Sequence, residues 1–190
     1  MCGHAVGPAR DTGAVELTWV DSRGGPLIVV PTAVLPEWAG GSPDYDVTAG
    51  DYGRACAVDD LAGVIAVGGA TAIVLGDEPA STCWLPEHMA FLRWIAAESE
   101  AAIRGAASTV LVDPETVWED AGTWETPGPA VLIDSTLEGA ELSGIDGLYV
   151  EGAALLCAPV PICAGRWQVR ACYAEPDGET SLVLVRLTQA

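Results

Sequence analysis

The sequence predicts an α+β protein that is mostly β, made of antiparallel strands and hairpins with one or two short helices. Three observations lead there. Short β-branched or aliphatic runs recur between clusters of glycine and proline. The run Trp167-Gln168-Val169-Arg170-Ala171-Cys172-Tyr173 alternates with a period of two, so Trp167, Val169, Ala171 and Tyr173 share one face and Gln168 and Arg170 the other. A single stretch, Glu98 to Ala107, has the composition of a helix: it is rich in alanine, begins with acids at the positive end of the dipole, and sets Glu100 four residues before Arg104.

Taken in order, residues 1–16 read as a loose leader. Leu17 to Asp21 is the first strand, Ser22-Arg23-Gly24-Gly25 a turn, and Pro26 to Pro31 a second strand bracketed by residues that cannot donate to a ladder. Thr32 to Trp38 is expected to form a short helical turn limited by Pro36, and Gly40 to Tyr52 a loop carrying Asp44, Asp46 and Asp51 between Tyr45 and Tyr52. Val64 to Val67 and Ala72 to Leu75, joined through Gly68-Gly69, predict a buried hairpin whose turn uses positive φ. Ser81 to Leu85 and Phe91 to Ile95 read as further strands. Asp113 to Gly128 has two prolines, two glycines, five acids and two tryptophans without apolar periodicity, and is expected to be a connector. Beyond it come a strand at Pro129 to Ile133, a hairpin from Gly147–Val150 and Ala153–Cys157, and a final pair in which Trp167–Tyr173 meets Ser181–Leu187 across the turn Glu175-Pro176-Asp177-Gly178.

The expected organisation is thus a leader (1–16), an N-terminal β-rich half (17–112), an acidic connector (113–128) and a C-terminal β half (129–190), together one compact unit. The halves share an order of events. Gly25-Pro26 and Gly128-Pro129 each open an apolar strand, Gly63 and Gly147 each start another, and Trp94 and Trp167 each sit on a strand followed by acids. That order suggests two similar halves derived by duplication.

Composition excludes several function classes. Half the residues are hydrophobic, enough for a core without metal or disulfide staples. The most apolar stretch, Leu61 to Gly76, has sixteen residues with four glycines and is flanked by Asp59-Asp60 and Asp77-Glu78, so it is too short and wrongly bounded to cross a bilayer. The N-terminus has no apolar signal region, which places the protein in the cytoplasm. Six cysteines without a C-x-x-C spacing are expected to be buried free thiols. Twenty-seven acids oppose eight bases, all arginine, for a net charge of −19. Such a chain repels phosphate, so nucleic acid is excluded as a direct partner, and it attracts a basic protein at rates of about 10⁸ M⁻¹s⁻¹ or more at low salt. A compositional bias of the whole genome would also produce this charge.

No catalytic pattern is present. His4 falls in the leader and His88 follows Pro86-Glu87 in a surface loop; there is no G-x-S-x-G, Walker loop, G-x-G-x-x-G or H-E-x-x-H. Neither Cys2 with His4 nor Cys83 with His88 supplies four ligands at zinc spacing. No cofactor and no metal is assigned. The tryptophans say more. Trp19, Trp84, Trp94 and Trp167 fall on strands as core residues, whereas Trp118 and Trp124 lie beside Glu119, Asp120 and Glu125, the composition of interface anchors. The same two residues could instead fold back to seal the halves. The candidate partner-binding residues are Asp44, Asp46 and Asp51 of the acidic loop, the pair Asp59-Asp60, and Trp118, Glu119, Asp120 and Trp124. A small-molecule-binding β module, using the tryptophans, and a metal-dependent hydrolase, using the acid pairs, are the competing functional readings.

Several blocks read together resemble a known family. WVDSRGGPLIVVP from Trp19, DYGRACAVDD from Asp51, VLGDEPAST from Val74, WLPEH from Trp84 with FLRW after it, and the closing GRWQVRA and LVLVRL are similar to the immunity protein 21 family of bacterial polymorphic toxin systems. The likeness runs from about Leu17 to Leu187. It implies a mostly β cytoplasmic protein, encoded beside a toxin whose active domain it neutralises. It implies no catalytic residues and fixes no toxin class, although a basic, nuclease-type toxin fits the charge.

Overall fold

The structure, a computed structural model, describes residues 17–41, 50–76, 78–142, 149–152 and 154–190. It is mostly β. In chain order the strands are β1 (Trp19–Val20), β2 (Leu27–Pro31), β3 (Gly63–Val67), β4 (Ala70–Val74), β5 (Thr82–Leu85), β6 (Ala90–Ala96), β7 (Glu119–Thr126), β8 (Ala130–Asp134), β9 (Tyr149–Glu151), β10 (Ala154–Val160), β11 (Gly165–Ala174) and β12 (Ser181–Gln189). Helices α1 (Gly50–Cys56), α2 (Glu100–Val112) and α3 (Gly139–Leu142) join them, with 3₁₀ turns at Thr32–Glu37 and Pro86–His88.

The strands form two six-stranded antiparallel sheets, one ordered β1-β5-β6-β12-β11-β7 and the other β3-β4-β2-β8-β10-β9. They pack face to face over a core to which β2 contributes Leu27 and Val29, β8 Leu132, β11 Trp167 and Val169, and β12 Val183, Val185 and Leu187. The outer face of the first sheet is covered by α2, and that of the second by α1, α3 and the Thr32–Glu37 turn. Four layers result. The central strands are therefore buried on both faces, and their sequences read as unbroken apolar runs: in β2, Leu27 and Val29 enter the inner core while Ile28 and Val30 enter the outer one.

Both strand orders are palindromic about the chain's two halves. β1, β5 and β6 stand opposite β7, β11 and β12, and β3, β4 and β2 opposite β9, β10 and β8, so each sheet takes three strands from each half. Aligning Gly25-Pro26 on Gly128-Pro129 makes Val29 equivalent to Leu132, and these two residues face each other in the β2–β8 ladder. An approximate two-fold axis runs through that pair and between β6 and β12. The equivalence read from the sequence holds for β2 and β8, and it matches the edge strands β3 and β9, though Gly147 lies outside the described residues. The third is corrected: Trp94 is on β6, whose counterpart is β12, whereas Trp167 is on β11, the counterpart of β5.

Local readings of the sequence mostly stand, with five differences. β1 and β2 do not pair with each other; the Ser22–Gly25 turn carries the chain from one sheet to the other. The β3–β4 hairpin forms with Gly68 at φ 54°, but only β4 is deeply buried, because β3 is an outer strand. The expected loop from Gly40 to Tyr52 ends in α1, which holds Asp51 and Tyr52. The Asp113–Gly128 stretch, read as a connector, contains the eight-residue strand β7. Helix α2 runs further than expected. Ser99 caps it by accepting the Ala102 N–H (3.2 Å), Glu100 meets Arg104 at 3.4 Å, and Ile103, Ala106, Ala107 and Val110 turn inward.

Among the described residues five cysteines are free thiols; the expected burial is corrected for Cys163, which is exposed, and Cys56, which is half-buried, while burial pushes Cys83 up to about 12 and Cys157 and Cys172 up to about 11. In the unfolded chain such thiols ionise near pH 8.5. Below that pH they leave stability unchanged; above it the unfolded state alone loses protons, so stability falls as pH rises toward these folded values. The denaturant midpoint is expected to fall between pH 8 and pH 10.5 with intact secondary structure. A thiol reagent added to native protein should label exposed Cys163 at once, and Cys83, Cys157 and Cys172 only on unfolding.

Candidate partner-binding site

Strands β3 and β7 are the outer strands of the two sheets at one end of the sandwich, and they touch. A Cβ placed on Gly122 would lie 3.7 Å from Val64, which fixes the middle of β7 against the start of β3. This contact brings two of the acidic pairs to one edge. Asp59 and Asp60 are exposed in the turn between α1 and β3, and Glu119 and Asp120 are exposed at the start of β7.

Their freedom differs. Asp59, Asp60 and Glu119 have no hydrogen-bond or ion-pair partner among the described residues. Asp120 braces the strand irregularity at Ala121-Gly122: its Oδ1 accepts from the Gly122 N–H (2.8 Å) and from Gln168 Nε2 (2.6 Å). Asp51 is also committed, accepting the Ala39 N–H (2.8 Å) through one oxygen and pairing with Arg54 through the other. Asp44 and Asp46 lie outside the described residues.

The two tryptophans part company. Trp118, half-buried just before β7, lies under the Arg186 guanidinium at 5.9 Å from its ring centroid and packs against the outer core beside α2. Trp124 is 0% exposed in the core between the sheets, and its indole N–H donates to the Thr71 carbonyl at 2.8 Å. A side chain with no accessible surface cannot anchor a partner, so the expectation for Trp124 is corrected. Its acidic neighbours placed it among interface residues, whereas the period-two pattern of an edge strand turns it inward while Thr123 and Glu125 turn out.

The sequence reading missed a groove at this same edge. About 970 Å³ in volume, it lies between the Gly68-Gly69 turn, β7 and the start of β11, and its lining includes Val34, Glu37, Thr71, Thr123, Glu125 and Pro127. No motif marks it, because its residues come from four separate stretches of chain; only Gly68, whose absent side chain makes room for the Glu37 carboxylate, left a trace in the sequence.

Among the described residues no group of three or more histidine, cysteine or acidic side chains is placed to hold a metal ion, and no helix is long and apolar enough to cross a membrane. The fold and the acidic edge define a class: a two-sheet β sandwich with helices on its outer faces, offering charged surface at one end. More particularly, the chain belongs to the Immunity protein 21 family, whose family model matches residues 18–180. Membership indicates an immunity protein and implies that it binds a toxin partner. No curated protein and no solved structure matches the chain.

Proposed function

We propose that this protein neutralises a cognate toxin in the cytoplasm of the bacterium that makes both, and that the toxin presents a basic surface of the kind a nuclease uses to hold nucleic acid. The family match over residues 18–180 carries the reading. The charge of −19 supports the basic partner: a chain that repels nucleic acid attracts what binds nucleic acid. Asp59, Asp60 and Glu119 are exposed and uncommitted at one edge, which suits them to steer the toxin in and then meet its cations. Asp44 and Asp46 join the same proposal on their sequence alone, and Trp118 flanks the edge as a partly exposed aromatic.

The test reverses Asp59 and Asp60 to arginine and measures binding to the toxin domain encoded by the adjoining reading frame. Both side chains are exposed, so the melting temperature should hold. Association is expected to slow by roughly tenfold at low salt and to lose part of its salt dependence. Unchanged affinity and unchanged salt dependence in the folded variant would reject this pair as part of the interface.

A further inference from the structure

The two ends of the sandwich are related by the approximate two-fold axis, and they are closed differently. At the β1 end the sheets are tied backbone to backbone, the Asp21 N–H donating to the Leu155 carbonyl at 2.7 Å, and Arg23 pairs with Glu151 to hold the loop against the β9–β10 hairpin. At the β7 end, among the described residues, the tie is the Trp124 indole reaching the Thr71 carbonyl. An indole is longer than an amide, and there the 970 Å³ groove opens beside the hairpin turn.

The groove's lining is polar as well as charged, with Thr71, Thr123 and Thr126 among its residues. The charges in the lining are acidic at Glu37 and Glu125 and basic at Arg166, whose ion pair among the described residues is a loose contact with Glu125 at 3.5 Å between mostly exposed side chains. Glu37 has no ion pair among the described residues.

From these observations we infer that the groove between the β3–β4 turn and β7 receives an extended, basic segment of the toxin. Its lysine or arginine side chains meet Glu37 and Glu125. The inference rests on the immunity reading and names the surface that does the work. Asp59, Asp60 and Glu119, further along the same edge, guide the approach; the groove holds the complex together.

Two variants separate these roles. Thr123→Trp fills the groove without changing charge, and E37R/E125R reverses its electrostatics; both alter side chains at the surface, and thermal unfolding confirms the fold. Binding of the adjoining reading frame's toxin domain is followed by surface kinetics. Thr123→Trp is expected to speed dissociation at least tenfold with association nearly unchanged, the mark of a lost short-range contact. E37R/E125R is expected to weaken binding about a hundredfold or more, through both rates. Wild-type binding that both folded variants retain within twofold would overturn the groove and leave the immunity reading standing. A toxin domain that fails to bind wild-type protein would overturn both.

Discussion

Truncating Trp124 to alanine is expected to cost about 3–5 kcal/mol of folding stability, the range for emptying an aromatic site in a packed core. The side chain is 0% exposed, packs with residues of both sheets and carries the hydrogen bond to Thr71. Removing it deletes both the filling and the tie at the end of the sandwich where β3 and β7 meet. For a chain of this length that loss corresponds to a fall in Tm of roughly 6–20 °C. Trp124→Phe keeps most of the volume and loses the indole N–H, so it should cost less. A Trp124→Ala protein that melts with the wild type would mean that the sheets are joined by something else.

The second large effect is expected at Asp134, a fully buried acid at the end of β8 that no motif singled out. Its carboxylate accepts the Arg23 N–H (2.6 Å), the Thr136 N–H (2.9 Å) and the Thr136 hydroxyl. A charge taken out of water is tolerated only where such donors replace the lost hydration. Here the donors belong to the loop that carries the chain from β1 to β2 and to the turn after β8, so one carboxylate fixes two connections. Asp134→Ala leaves two amides without an acceptor and should cost about 2–4 kcal/mol. The denaturant midpoint should fall with little change in slope. Asp134→Asn, which retains an acceptor, should lie between the variant and the wild type.

How far the fold was legible follows from what each strand buries. Strands between two covered faces carry unbroken apolar runs, all of β2 and Leu182 to Val185 of β12, and announce themselves. β7 does not. As an edge strand of sequence EDAGTWET it needs only Trp124 and Thr126 to face inward, so its remaining polar residues read as a connector. α1 was hidden by Gly50 and Gly53, and α3 by having four residues. The order shared by the halves showed itself at Gly25-Pro26 and Gly128-Pro129, which precede the paired strands β2 and β8, and was misread at Trp94 and Trp167, where a large apolar residue serves non-equivalent strands.

The candidate site was legible only in part, for a related reason. Exposed acids such as Asp59 and Asp60 are visible in a sequence as charge, but nothing local distinguishes them from Asp51 and Asp120, whose carboxylates are occupied in holding the backbone. That distinction depends on partners far away in the chain, Gln168 for Asp120 and Ala39 for Asp51. The groove is assembled wholly from such distant pieces. Glu37 reaches it from the turn after β2, Thr71 from β4, Glu125 from β7 and Arg166 from β11.

The most direct test is to express the toxin domain of the adjoining reading frame in a host cell, with and without this protein, and to purify whatever the protein carries with it. Neutralisation by binding predicts that cells survive only when both are made, and that the two proteins elute as one complex which high salt weakens. Cells that die regardless, with the two proteins eluting apart, would contradict it.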